Sequence, residues 1–124
     1  MHANKSSEAL DPELVTVAVE VLRVLADPTR LQLAWTLREQ ECSVSELAEV
    51  IGRPIAGVSQ HLAKMRMARL VTTRRIGTTI LYRVDDEHVR QLVAEIARHV
   101  EHLLYITPAH HEGHGAGPQP APDS

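Results

Sequence analysis

The feature that most constrains the fold is a change of hydrophobic period between residues 43 and 84. Ser43, followed three residues later by Glu46, has the form of a capping box and predicts a short helix that stops at Gly52. After the break, residues 55–70 again carry apolar side chains at helical spacing. The period then becomes that of strands, in two runs over 70–75 and 79–84 with a turn at 76–78, which predicts a β-hairpin. This order is typical of a winged helix-turn-helix domain.

Helices are predicted on both sides of this region. Asp11-Pro12 and Asp27-Pro28 each put an N-cap aspartate before a proline in the first helical position, so helices are expected over about 12–26 and from 28 onward. Helical periodicity returns at Asp85 and continues to about Leu104. We therefore expect a mainly α domain with a β-hairpin wing over 11–106. A disordered N-terminal arm is expected over 1–10, and a flexible tail rich in His, Pro and Gly over 107–124.

Composition narrows the class of protein. With no Phe, one Trp and two Tyr, the core has to be aliphatic, as in packed helices. No apolar run approaches the roughly 18–20 residues of a membrane span, and the N-terminus lacks the apolar segment of a secretory signal. The single cysteine, Cys42, excludes an internal disulfide and suits a reducing compartment. The sequence predicts a globular cytoplasmic protein.

A basic block lies within this acidic chain of net charge −3. Seven Arg and Lys residues occur from Arg53 to Arg83, and no Asp or Glu lies between Glu49 and Asp85. Such a block predicts a surface that binds a polyanion, although a solvated basic face would have the same composition. In a helix-turn-helix the second helix enters the major groove of double-stranded DNA. The side chains predicted to read or hold DNA are Ser59, Gln60, His61 and Lys64 on that helix and Arg74 and Arg75 at the hairpin tip.

Two of these assignments have alternatives. The helix 55–66 could be a core helix with an ordinary polar face, and His61 could form an interhelical hydrogen bond instead of contacting DNA.

Four segments together resemble the ArsR/SmtB family of metal-sensing repressors: LADPTRLQLAWTL, SVSELAEVIG, VSQHLAKMRMARLV and RRIGTTILYRV. The resemblance covers residues 15–104, with its parts in the family's order. It implies a homodimeric winged helix-turn-helix protein, not an enzyme, that represses an operator when metal-free and releases it on binding metal. Within the family, VSQHLAKMRMARLV and EHVRQLV are especially similar to the KmtR-like nickel and cobalt sensors.

The resemblance implies two places for a metal site. One uses cysteines before the recognition helix, but here Ser43 stands in the thiolate position and Cys42 is one residue away. A single thiolate is a poor site for a soft metal, so Cys42 is interpreted as a small hydrophobic residue. The other place is the last helix, with D-x-H, ten residues and then H-x-x-H. Asp86, His88, His99 and His102 match this pattern.

Helix geometry indicates that one chain cannot close this second site. His88 and His99 share a face of an ideal helix, because eleven residues fall about 20° past three full turns. They are nevertheless about 16.5 Å apart along the axis, which metal–nitrogen bonds of about 2.0–2.1 Å cannot span. Two antiparallel copies can bring Asp86 and His88 of one subunit against His99 and His102 of the other. The pattern therefore predicts a symmetric dimer with two equivalent sites.

Two overlapping ligand sets compete on the last helix. In the KmtR-like pattern the ligands correspond to His88, Glu101, His102, His110 and His111, all of which are present. The four ligands of the other pattern would suit zinc or cobalt in a tetrahedral site, whereas recruitment of His110 and His111 would favour nickel or cobalt. His2 and His114 are expected to take no part. The alternatives are a zinc-sensing repressor, a His-rich metal carrier that does not bind DNA, and a metallohydrolase, which the absence of H-E-x-x-H argues against.

Overall fold

The secondary structure follows the predicted order. A computed structural model describes residues 9–106. Its helices are α1 (Pro12–Leu25), α2 (Pro28–Leu37), α3 (Val44–Ile51), α4 (Ile55–Met67) and α5 (Glu87–Ile106), and its strands are β1 (Thr72–Ile76) and β2 (Thr79–Arg83). The mainly α fold with a β-hairpin wing is confirmed.

Side-chain caps explain where three of the helices begin. The Asp11 carboxylate accepts the backbone N–H of Glu13 at 2.8 Å, and the Asp27 carboxylate accepts that of Arg30 at 2.9 Å. The capping box at α3 is reciprocal: Glu46 N–H donates to the Ser43 hydroxyl at 3.2 Å, and Ser43 N–H donates to the Glu46 carboxylate at 2.8 Å. These contacts satisfy N–H groups that have no acceptor within the first helical turn.

The turn between α3 and α4 depends on a glycine. Gly52 has φ of +77°, in the left-handed region, and its N–H donates to the carbonyl of Ala48 at 2.8 Å. A residue without Cβ adopts this conformation at no steric cost, so the chain reverses here and enters α4 three residues later, at Ile55.

The strands of the hairpin cover residues 72–76 and 79–83, whereas the sequence predicted 70–75 and 79–84. β1 and β2 are antiparallel, with Thr72 opposite Arg83 and Ile76 opposite Thr79, so the loop consists of residues 77 and 78. Ile76 therefore belongs to β1 and not to the turn. Arg75 lies opposite Ile80, one pair before the end of the ladder. The two wing arginines thus lie along β1, not at the tip as predicted.

A third segment is attached to the wing. Cys42 forms an isolated bridge to Tyr82, with two backbone hydrogen bonds of 3.1 and 2.8 Å. This bridge joins the segment before α3 to β2, so the wing is fixed to the helix-turn-helix by backbone contacts.

An aliphatic core supports the recognition helix, as composition predicted. Val58, Leu62 and Met65 on α4 are each 0% exposed, and Leu33 on α2 and Leu47 on α3 are equally buried. Full burial of one such side chain contributes about 1.5–3 kcal/mol relative to exposure. Because positions 58, 62 and 65 share one side of α4, the opposite side carries the polar residues.

The chain divides into two compact units at Arg90. The first comprises the described residues up to Arg90, that is α1–α4, the hairpin and the first residues of α5. The second begins at Gln91 and contains the rest of α5, where Val100, Leu103 and Leu104 are each at least 45% exposed. No helix in the range 9–106 is long and apolar enough to cross a membrane.

Candidate DNA-binding surface and metal-ligand set

The outer face of α4 presents three of the predicted DNA-reading side chains. Ser59, Gln60 and Lys64 are exposed on this helix, whereas its inner face is buried. Gln is suited to a bidentate contact with adenine, and Lys to a phosphate.

His61 has a different environment from its neighbours on α4. Its Nδ1 lies 3.0 Å from Nη1 of Arg30 on α2 and 3.9 Å from a carboxylate oxygen of Asp27. The side chain keeps 28% exposure. The structure therefore gives His61 an interhelical hydrogen bond, which was one of the two sequence interpretations, while it stays beside the exposed Gln60.

Arg74 is paired within the protein. Its Nε and Nη2 donate to the two carboxylate oxygens of Glu41, both at 2.7 Å, in a bidentate geometry. This hydrogen bond holds the pKa of the Glu41 carboxyl below its usual range and raises the pKa of Arg74. Arg83 lies 3.8 Å from the same carboxylate and also pairs with Asp85. Glu41, which lies before the acid-free basic block in sequence, thus offsets part of the positive charge of that block in the folded protein.

Among the described residues, Arg75 is the arginine of the wing that has no ion-pair partner. Its side chain is exposed. Sequence reasoning treated Arg74 and Arg75 as equivalent. No signal near either arginine could have separated them, because Glu41 lies 33 residues before Arg74.

The predicted metal ligands lie along α5, exposed to solvent. His88 is in the first turn, and His99, Glu101 and His102 are in the last two turns, all exposed. Asp86 precedes the helix, and one of its carboxylate oxygens accepts the N–H of His88 at 2.7 Å and of Val89 at 3.3 Å. The structure therefore gives Asp86 the role of N-cap, which was not predicted from the sequence. Within residues 9–106, its second carboxylate oxygen has no hydrogen-bond or ion-pair partner.

Over residues 9–106, no group of three or more His, Cys, Asp or Glu side chains comes together in one chain. The predicted ligands His110 and His111, and the predicted bystanders His2 and His114, lie outside the described residues. Cys42 is 5% exposed, and burial raises the pKa of its thiol, followed by the nearby charge of Glu46. A buried thiol that resists deprotonation fits a packing role, as predicted, since metals bind the thiolate.

Comparisons with known proteins decide the family. A helix-turn-helix domain family matches residues 25–74. The chain is 52% identical over 115 residues to the HTH-type transcriptional regulator KmtR of Mycobacterium tuberculosis, covering 93% of this chain and 88% of that protein. The chain belongs to the ArsR/SmtB family of metal-responsive repressors. NmtR, another HTH-type transcriptional regulator of M. tuberculosis, is 38% identical to this chain over 100 residues. The match covers 81% of this chain and 83% of NmtR.

Solved structures agree with this assignment to the ArsR/SmtB family. A homodimeric winged helix-turn-helix DNA-binding domain from Mycobacterium bovis, described as that of a possible ArsR-family regulator, has a TM-score of 0.68 and 28% identity. The superposition covers 77% of this chain and 90% of the M. bovis domain. NolR from Sinorhizobium fredii has a TM-score of 0.66 and 32% identity. The superposition covers 73% of this chain and 94% of the NolR chain. The winged helix-turn-helix of this ArsR/SmtB protein is its DNA-binding module.

Proposed function

We propose that this protein is a homodimeric cytoplasmic repressor that binds operator DNA when metal-free, releases it on binding nickel or cobalt, and controls metal efflux. The observation that carries the proposal is the ligand set of α5. Three exposed imidazoles and the Asp86 carboxylate follow one helix at the family's spacing, yet no three of them meet within the described part of one chain. Such a set becomes a metal site when a second copy supplies the missing ligands.

Exposed apolar side chains support the homodimer. On α1, Leu14, Val17 and Leu22 are each more than half exposed, and α5 adds Val100 and Leu104 at 45% and 49%. Apolar surface of this kind on a small domain usually marks an interaction site. The M. bovis structural relative is itself homodimeric.

The donor types fit a borderline metal. Imidazole and carboxylate groups suit nickel, cobalt and zinc, whereas soft metals favour thiolates, and the one thiol in the chain is buried. The Asp86 carboxylate can ligate through one oxygen while the other caps α5. We favour nickel or cobalt because His110 and His111 would raise the number of ligands above four. A zinc-sensing repressor is the second candidate, supported by Asp86, His88, His99 and His102 as a four-ligand set.

DNA release follows from a change of dimer geometry. When ligands from two subunits share a metal, the two α5 helices are drawn to a fixed separation. This favours a spacing of the α4 helices that no longer matches adjacent turns of the major groove. A coupling free energy of about 1–3 kcal/mol is typical of such linkage and corresponds to roughly 5–150-fold weaker operator binding.

Operator binding titrated separately with nickel, cobalt and zinc tests the proposal. We expect the metal-free dimer to bind with strong salt dependence, because it neutralises several phosphates, and we expect nickel or cobalt to weaken binding most. The largest effect with zinc would favour the second candidate. Metal binding by a protein without affinity for any operator would indicate a metal carrier instead.

Truncation after Thr107 separates the two ligand sets. If His110 and His111 ligate, removal of the tail should leave zinc affinity nearly unchanged and reduce nickel affinity together with its effect on DNA. The cobalt form gives a direct reading: weak absorption bands indicate six ligands and intense bands indicate four. Intense bands in the full-length protein that do not change on truncation would show that the tail histidines are not ligands.

A further inference from the structure

The side chain of Arg30 connects three helices at one point. From α2, its Nε donates to the carbonyl of Val24 and its Nη2 to the carbonyl of Arg23 at 3.5 Å, both at the C-terminal end of α1. Its Nη1 lies 3.0 Å from Nδ1 of His61 on α4. The last carbonyls of a helix lack intrahelical partners and carry partial negative charge, so a guanidinium there is favourable. The planar group uses all three of its nitrogens in these contacts.

This contact fixes the chemistry of the imidazole. Arginine stays protonated and can only donate, so a hydrogen bond at this contact requires Nδ1 of His61 to accept. The Asp27 carboxylate, 3.9 Å from the same Nδ1, is too far to accept a proton from it in a hydrogen bond. A neutral imidazole that accepts at Nδ1 carries its proton on Nε2. The hydrogen bond therefore selects one tautomer and one ring orientation.

The remaining nitrogen is available as a donor. Among residues 9–106, Nε2 of His61 has no hydrogen-bond partner, and the side chain is 28% exposed, directly after the exposed Gln60. A donor at this position can reach an acceptor on DNA, such as a phosphate oxygen or a purine nitrogen.

The Arg30–His61 contact lies outside the apolar core that holds α4. Val58, Leu62 and Met65 already bury the inner face of the helix completely. The contact links the C-terminal end of α1 to the outward side of α4. Other residues of α1 carry exposed apolar side chains.

We propose that Arg30 is a positioning residue for DNA recognition: it holds His61 as an oriented Nε2–H donor on α4 and ties the recognition helix to the end of α1. This inference rests on the use of α4 as the recognition helix. In this proposal Arg30 acts through His61 and not by a contact of its own with DNA. Its effect should therefore be on the discrimination between operator and random DNA, since random DNA is bound mainly through phosphates.

Substitutions at both ends of the contact test this proposal. Arg30→Lys keeps the charge but cannot bridge α1 and the imidazole with a planar set of donors. His61→Asn keeps an acceptor near the position of Nδ1 and removes the Nε2 donor. Each should lower the ratio of operator to random-DNA affinity by roughly tenfold, within the range of losing one base-pair contact. Arg23→Lys is the matched control, because the Arg23 side chain is 74% exposed and, among residues 9–106, pairs only with Glu20. It should leave the ratio unchanged.

The double variant separates positioning from general destabilisation. Once His61 is replaced by Asn, there is no donor left to orient, so Arg30→Lys should add less than twofold to the loss. Equal losses on operator and random DNA, or full additivity of the two substitutions, would overturn the proposal, because a destabilised fold lowers the active fraction for both DNAs alike.

The tautomer of His61 can be measured in the native protein, so this test does not depend on how the variants fold. In the native dimer, long-range ¹H–¹⁵N correlation of the imidazoles, with His61 identified by its absence in His61→Asn, should show the Nε2–H form. The Nδ1–H form would contradict the proposal. A native protein that does not distinguish any operator from random DNA would overturn both the proposed function and this inference, whereas discrimination that survives Arg30→Lys would overturn only the inference.

Discussion

Arg74 and Arg75 are adjacent in sequence but have different electrostatic surroundings. Arg74 is held by Glu41, and Arg75 has no ion-pair partner among the described residues. We therefore expect Arg75→Ala to weaken binding to operator and random DNA alike and to lower the salt slope by about one, as for loss of one phosphate contact. Arg74→Ala should change the slope less, since its charge is already neutralised. Affinities measured at several salt concentrations provide the test, and equal slopes for the two variants would contradict this distinction.

The Glu41–Arg74 pair also makes stability depend on pH. The pKa of Glu41 is lower in the folded protein than its ordinary value, so the pair stabilises the fold above that ordinary value. This stabilisation is lost as the pH falls through the lowered pKa. We expect Glu41→Gln to lower the thermal midpoint slightly at pH 7, by an amount that disappears once the pH is below the lowered pKa of Glu41. Glu20→Gln is the control, because its pair with Arg23 is 3.8 Å long and at least 70% exposed, and it should have no effect. A midpoint difference that is independent of pH would exclude the ion pair as its cause.

Sequence predicted three helix caps but missed the equally local cap at Asp86, and it missed the long-range contacts. The caps at Asp11, Asp27 and Ser43 were predictable because each depends on residues two or three positions away. The contacts of Glu41 with Arg74 and of Arg30 with His61 join residues 33 and 31 positions apart. Polar pairing at such separation is decided by tertiary packing, about which composition and periodicity contain no information.

At the scale of an element, the start of α5 combines two functions in one carboxylate. Asp86 caps the helix through one oxygen, and we propose it as a metal ligand. Because asparagine caps as well as aspartate, Asp86→Asn should keep the thermal stability while it weakens metal binding through loss of the charged ligand. Asp86→Ala should lose both, with a stability cost of about 0.5–2 kcal/mol. Thermal unfolding and metal titration of the two variants separate the functions. Unchanged metal affinity in Asp86→Asn would remove Asp86 from the ligand set.

Element boundaries show which sequence signals were strong. α3 begins and ends where the capping box and Gly52 predicted, because both signals act on the backbone directly. The strands were predicted too long, since Leu70, Val71 and Val84 are β-prone and buried but lie outside the ladder. Hydrophobic period reports burial and cannot show where a ladder of hydrogen bonds stops.

At the scale of the whole molecule, the fold could be predicted and the metal site could be predicted only in part. The order of helices and hairpin defines the winged helix-turn-helix within one chain. The ligands of α5 are visible in sequence, but no three of them meet in the described portion of a single chain. We propose that a second copy supplies the remaining ligands. In that proposal, whether Asp86 and His99, or Glu101 with the tail histidines, complete the site depends on how the dimer is assembled. No local pattern of the sequence encodes it.

Mixed dimers test this dependence directly. If each site takes His88 from one subunit and His102 from the other, a dimer of one His88→Ala chain and one His102→Ala chain has one site that lacks both ligands and one that is intact. Each homodimeric variant should bind nickel or cobalt weakly, and the mixture should recover tight binding at about one metal per mixed dimer. Subunit exchange is verified with two chains that carry different tags, and mixed native and His88→Ala subunits serve as the control. That control should also retain one intact site per dimer. If exchange is complete and no tight binding returns in the double mixture, the ligands do not come from both subunits and the antiparallel arrangement is wrong.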